Sequence, residues 1–320
     1  MVPSFATQPF LQVILVAALF PFSLASGVGE SIQRQQQPFF FQYHNGHLLA
    51  GKVSINLIWY GKFTPSQRAI ISDFILSLSS SAPKTAQPSV ATWWKATDKY
   101  YQLLNYRKLR RLVLSLGSQI MDEDYSMGKL LAGRQIELLA AKGHQENAIN
   151  VVLTSADVAV NGFCSICGTH GFSKGKIIKG KRHKFAYIWV GNSETQCPAQ
   201  CAWPFHQPMN RPKSPPLVAP NKDVGLDGMV INLASLLAST ATNPFGNGYF
   251  HGPKEDPLEA GSACPGVYGL GAYPDYAGEL SVDPRSGASY NANGANRRKY
   301  LLPALFDPFT NSCSPLGTGR

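Results

Sequence analysis

The run Ile149-Asn-Val-Val-Leu-Thr154 is almost wholly apolar over the length of one strand. A strand without a polar face has to be covered on both sides, which places it inside a sheet with a layer packed on each face. A second strand, Val53-Ser-Ile-Asn-Leu-Ile-Trp-Tyr60, alternates instead, with Val53, Ile55, Leu57 and Trp59 on one side. Thr64-Pro65-Ser66-Gln67 follows it and carries an N-cap, a proline suited to the first helical turn and a Gln placed to close a capping box. Ile70, Ile71, Phe74, Ile75 and Leu78 then recur at helical spacing.

The same reading predicts helices over 89–101, over 134–142 with Gly143 as the stop, and over 228–241 with Asp227 as N-cap. It predicts strands over 109–116 and 185–190. Strands alternating with helices imply an α/β (or α+β) fold, a single domain with a mixed β-sheet flanked by helices. From 243 to 294 the chain turns to Gly, Pro, Tyr and Asn, the composition of long loops. The aromatic residues there, with Cys264 and Cys313, argue that the loops are ordered. Only 15% of residues are charged while 44% are hydrophobic, which excludes a disordered chain.

Phe10 to Leu24 is apolar and breaks into Ala25-Ser26-Gly27, the pattern of a secretory signal peptide cleaved after Ala25. No basic residue precedes it, since the first is Arg34. The run is too short for a spanning helix, which needs about 20 residues, and it contains Pro21. The expected organisation is therefore a signal peptide over 1–25, a Gln-rich lead-in over 26–45 and a folded domain over 46–320. The mature chain is expected to have no membrane span.

All six cysteines, Cys164, Cys167, Cys197, Cys201, Cys264 and Cys313, lie in the second half. C-x2-C followed by C-x3-C is a spacing that four-thiolate zinc can use, with His170 and His206 as alternates. Behind a signal peptide, disulfides are the expectation, and 15 pairings stay open. A redox role for Cys164 and Cys167 would call for a strand before and a helix after, whereas they sit in a Gly-bounded loop.

Chemistry-bearing motifs are scarce. The chain lacks the phosphate-binding P-loop. Gly266-Val-Tyr-Gly269-Leu-Gly271 reads as a glycine-rich turn, because no strand precedes it. Asp122, Glu123, Asp124, Asp223 and Asp227 are available as paired carboxylates, but spacing alone does not bring two together. In the 228–241 helix, Asn232 and Leu236 stand where a zinc peptidase has its two histidines, and Leu233 where it has its glutamate. A distant, metal-free zinc-peptidase-like scaffold is one fold consistent with that order of elements. No catalytic residue, metal ligand or cofactor is assigned.

The net charge is +10. Lys174, Lys176, Lys179, Lys181, Arg182 and Lys184 are the candidate polyanion-binding residues, with smaller basic runs at 107–111 and 297–299. No nucleic-acid-binding module accompanies them. Outside the cell the polyanion that such charge suits is acidic polysaccharide. The loops around Tyr249, Tyr268, Tyr273 and Tyr276 are the candidate aromatic contact surfaces.

Several long blocks resemble the plant EXORDIUM (phosphate-induced protein 1) family. They include Asn56-Leu-Ile-Trp-Tyr-Gly-Lys-Phe-Thr-Pro-Ser-Gln-Arg68 and Pro88-Ser-Val-Ala-Thr-Trp-Trp94. Cys197-Pro-Ala-Gln-Cys-Ala-Trp-Pro-Phe-His-Gln207, Asp227-Gly-Met-Val-Ile-Asn-Leu-Ala234 and Thr242-Asn-Pro-Phe-Gly-Asn-Gly248 belong with them. The resemblance runs from about residue 40 to the C-terminus. It implies a secreted protein of the apoplast, linked to brassinosteroid-dependent growth and cell expansion, with no established reaction and no catalytic residues to carry over. The expected partner is an acidic cell-wall polysaccharide or an extracellular protein. The alternatives are a wall-acting hydrolase with an unrecognised site and a growth-factor-like precursor cleaved near Arg297-Arg298.

Overall fold

In the computed structural model, which describes residues 40–79, 86–104, 110–178, 181–207 and 215–316, a five-stranded sheet organises the chain. Its strands are β1 (Lys52–Tyr60), β2 (Val113–Asp122), β3 (Ala148–Thr154), β4 (Gly168–Ile178) and β5 (Lys181–Gly191). The spatial order is β2-β1-β3-β5-β4. The first four of these run parallel, and β4 returns antiparallel along β5 as an edge.

The expected central strand is central, and every residue of β3 is buried. Its one amide, Asn150, lies in register with Asn56 of β1, which donates to it at 2.8 Å. Asn150 in turn donates to the Ala140 carbonyl at 2.9 Å, so the polar pair is satisfied inside the sheet. The strand expected at 109–116 begins at Val113, and Leu109 lies outside the described residues.

One face of the sheet is covered by α1 (Pro65–Leu78), α2 (Val90–Trp94), α3 (Asp98–Leu103) and α6 (Val224–Thr242). The other is covered by α4 (Gly133–Ala140). Val53, Ile55, Leu57 and Trp59 share the first core, as the alternation requires, while Ile58 and Tyr60 enter the second. The capping box of α1 is formed, with Gln67 N–H donating to Thr64 Oγ1 at 3.2 Å and Thr64 N–H to Gln67 Oε1 at 3.0 Å.

Two helices depart from the sequence expectation. The segment expected as one helix over 89–101 is broken by a 3-10 turn at Lys95–Thr97. Trp93 Nε1 and the Tyr100 hydroxyl donate to the carbonyls of Pro303 and Phe306 at 2.7 and 2.8 Å, and the break lets both side chains reach the C-terminal segment. Helix α6 starts earlier than expected, with Asp223 as its N-cap in place of Asp227. Asp223 Oδ1 accepts the Leu226 N–H at 2.9 Å. Gly225 and Gly228, weak helix formers, are retained because a Cβ at Gly225 would lie 2.1 Å from Asn192 Oδ1 and one at Gly228 would lie 2.9 Å from the Cys201 carbonyl.

At 19 residues α6 is long and apolar enough to match a membrane span, although most of it is buried inside the protein. Residues 38–320 form one compact unit. The loop region after α6 is ordered by short two-stranded ladders, among them Gln42–Tyr43 with Tyr249–Phe250 and Leu305–Asp307 with Ser312–Ser314. Residues 1–25 and most of the 26–45 lead-in lie outside the described residues.

Candidate binding surfaces

The six cysteines form three disulfides, Cys164–Cys197, Cys167–Cys201 and Cys264–Cys313. The first two join the loop between β3 and β4 to the start and end of α5 (Pro198–Cys201). The four thiols of the zinc-like spacing are thus consumed pairwise. The alternates sit elsewhere: His206 is exposed, while His170 contacts Glu259. Among the described residues no group of three His, Cys, Asp or Glu is arranged to hold a metal ion.

The helix positions compared with zinc peptidases carry structural contacts. Asn232 Nδ2 donates to the Cys201 carbonyl at 3.0 Å and to the Gly228 carbonyl at 2.9 Å. Leu233 is fully buried, and Leu236 packs against Gly168 on β4. The Gly266–Gly271 segment is a turn bridged to Glu279, whose N–H donates to the Leu270 carbonyl at 2.9 Å, and a Cβ at Gly269 would lie 2.1 Å from the Glu279 carbonyl.

Four of the candidate carboxylates are held in structural contacts, and Asp124 is exposed. Burial pushes the Asp122 carboxyl up, but hydrogen bonds from Lys142 and Ser126 outweigh it and hold the group below the usual range. Glu123 pairs with Arg68 at 3.7 Å. Asp223 caps α6 and accepts from Gln67 Nε2 at 3.0 Å. Asp227 is turned inward, where burial raises its carboxyl to about 7 against the lowering effect of the Asn221 bonds.

The basic run lies on the two-stranded end of the sheet formed by β4 and β5. Pairing of β3 with β5 begins at Ile149 and Ala186, so among the described residues Lys181–Phe185 of β5 pairs with β4 alone. Lys174 and Lys184 stand directly across from each other. Lys184 Nζ lies 4.4 Å above the Phe172 ring, which packs edge-on against Phe245 at 5.8 Å. Lys176, Lys181 and Arg182 lie on the same two strands, with a register shift between Lys174 and Ile177; Lys179 lies outside the described residues.

Of the four candidate tyrosines, Tyr249 and Tyr268 are buried. Tyr249 packs against Tyr43 and Tyr100, and the Tyr268 hydroxyl donates to the Trp203 carbonyl at 3.2 Å. Tyr273 and Tyr276 are exposed and pair at 5.1 Å across a tight turn. Tyr276 lines a cavity of about 340 Å³ with Trp203, His206, Pro216, Leu217 and Leu280.

One buried cluster was not legible in the sequence. Glu259 Oε2 lies 2.5 Å from His170 Nε2, and Glu259 Oε1 accepts from Asn243 Nδ2 at 2.6 Å. His170 Nδ1 is buried without a hydrogen-bond partner. The three residues come from an edge strand, a helix terminus and a loop, so no local spacing marks them.

A disulfide-stapled α/β protein with a basic edge ribbon is the class that this architecture defines. The Phosphate-induced protein 1 conserved region matches residues 41–316. Protein PHOSPHATE-INDUCED 1 of Nicotiana tabacum is 63% identical over 313 residues, covering 97% of this chain and 99% of that relative. Protein EXORDIUM-like 1 of Arabidopsis thaliana is 68% identical over 279 residues, covering 86% and 90%. Protein EXORDIUM of Arabidopsis thaliana is 63% identical over 314 residues, covering 95% and 99%. The chain belongs to the phosphate-induced protein 1 (EXORDIUM) family. No solved structure matches it.

Proposed function

We propose that the protein is secreted to the cell wall and serves brassinosteroid-dependent growth and cell expansion by holding acidic wall polysaccharide, without catalysis. The observation that carries this reading is the Lys174–Lys184 pair. Like charges directly opposite on antiparallel strands destabilise the ribbon when it is free. A polyanion laid along the ribbon removes that repulsion. Three disulfides suit an oxidising compartment, and the family kinship supports the growth role.

Secreted protein is expected to bind de-methylesterified pectin at low salt, to elute at about 0.5 M NaCl as screening shortens the range of the attraction, and to release no reducing sugar. Replacement of Lys174 and Lys184 by serine is expected to shift elution to lower salt. Unchanged elution would overturn the ribbon's role, and polysaccharide turnover would favour the hydrolase.

A further inference from the structure

Three residues with left-handed backbone border one cleft. Lys222 (φ 61°), Asn296 (φ 53°) and Arg297 (φ 61°) hold a conformation that glycine and asparagine adopt readily and that lysine and arginine resist. They share a cleft of about 430 Å³ with Asn221, Arg298 and Lys299. The carboxylates there are already engaged. Asp73 accepts Arg298 Nε at 2.6 Å and Asn296 Nδ2 at 2.8 Å. Asp283 accepts Lys299 and the backbone N–H groups of Arg285 and Ser286. Arg298 also donates to Asn221 Oδ1 at 2.9 Å, which ties the two loops into one network.

Lys222 and Arg297 remain. Both are exposed, they come from different loops, and neither has an acceptor among the described residues. A lysine and an arginine stand where glycine would sit without strain. We propose that Lys222 and Arg297 are the two arms of an oxyanion site that takes the carboxylate or phosphate group of a small ligand between them. The guanidinium supplies a planar fork of donors and the ammonium a point charge. The site differs from the basic ribbon in kind, being a cleft for one anionic group and independent of polymer binding.

The test is calorimetric titration of the secreted, disulfide-intact protein at fixed ionic strength, with inorganic phosphate and, separately, with galacturonate. Saturable one-to-one binding of at least one probe is expected. Arg297→Gly and Lys222→Gly are each expected to weaken it roughly tenfold or more while leaving the melting temperature equal or higher. Lys62→Ser, at an exposed lysine outside both basic surfaces, is expected to bind as the parent does. Tighter phosphate binding would identify a phosphate-bearing ligand, and tighter galacturonate binding an acidic sugar. Should either glycine variant be unstable, Lys222→Asn and Arg297→Asn carry the same expectation, since asparagine also tolerates this backbone. No saturable binding of either probe, or glycine and asparagine variants that bind as the parent does, would overturn the proposal.

Discussion

Asn221 donates both its backbone N–H and its side-chain amide to the Asp227 carboxylate, at 2.8 and 2.7 Å. It thereby joins the loop before α6 to the helix's first turn. Its amide also reaches the Lys299 carbonyl at 3.2 Å, so one side chain links the interior acid to the floor of the Lys222–Arg297 cleft.

Stability is expected to fall as pH rises through the window set by Asp227. The folded carboxyl titrates near 7 because burial disfavours its charge, while the unfolded one titrates at its ordinary value of 3.8. The folded state therefore holds the proton more tightly. The stabilisation it gives is complete below the unfolded pKa and is lost as pH passes through the folded one. Each unit of difference is worth about 1.4 kcal/mol. Urea midpoints measured from pH 4.5 to 8 should decline in the parent, and that slope should be absent in Asp227→Asn. An identical slope in both proteins would show that another group is responsible.

The disulfide framework predicts a thiol count. Denatured, secreted protein should show no free thiol before reduction and six after it, given the three bridges. Replacing Cys264 and Cys313 together by serine opens a loop with a sequence separation of 49. It should lower stability by roughly 3–4 kcal/mol, read from thermal or denaturant unfolding. Four reactive thiols with bound zinc would contradict the pairing of Cys164, Cys167, Cys197 and Cys201.

The Lys174–Lys184 pair can be inverted. Lys184→Glu places opposite charges across the ladder, which should raise stability by roughly 0.2–1 kcal/mol at low salt. The same change removes the cation over Phe172 and should reduce pectin retention. A variant both less stable and equally retained would count against the ribbon as the binding surface.

Gly261 lies against the backbone of α6, where a Cβ would approach the Ser235 carbonyl to 2.0 Å. Gly261→Ala should cost about 2–4 kcal/mol by forcing this loop off the helix, since neither backbone can yield cheaply. The loop carries Glu259, so the imidazole signals of His170 should shift as well in an NMR spectrum. A parent-like melting temperature would show that the loop is not held as described.

Much of the central sheet was legible because its information is local. Period-two alternation in β1 fixed which side chains face α1, and the unbroken apolar run of β3 required layers on both faces. Asp227 carries a cap signal, an Asp at the start of an apolar stretch. The helix extends past it because Gly225 and Gly228 allow Asn192 and the Cys201–Ala202 backbone to approach, a packing gain that the sequence window does not contain.

The sequence by itself determined the sheet's faces, the α1 cap, the number of cysteines and the family blocks, since each is read from residues a few positions apart or from a count. Only the tertiary structure decided which cysteines pair, where the 90–103 helix breaks, and that Lys222 and Arg297 share a cleft with Asp73. Those outcomes join elements dozens to hundreds of residues apart. Their partners are selected by the packing free energy of the whole chain, to which periodicity and propensity within one element are blind.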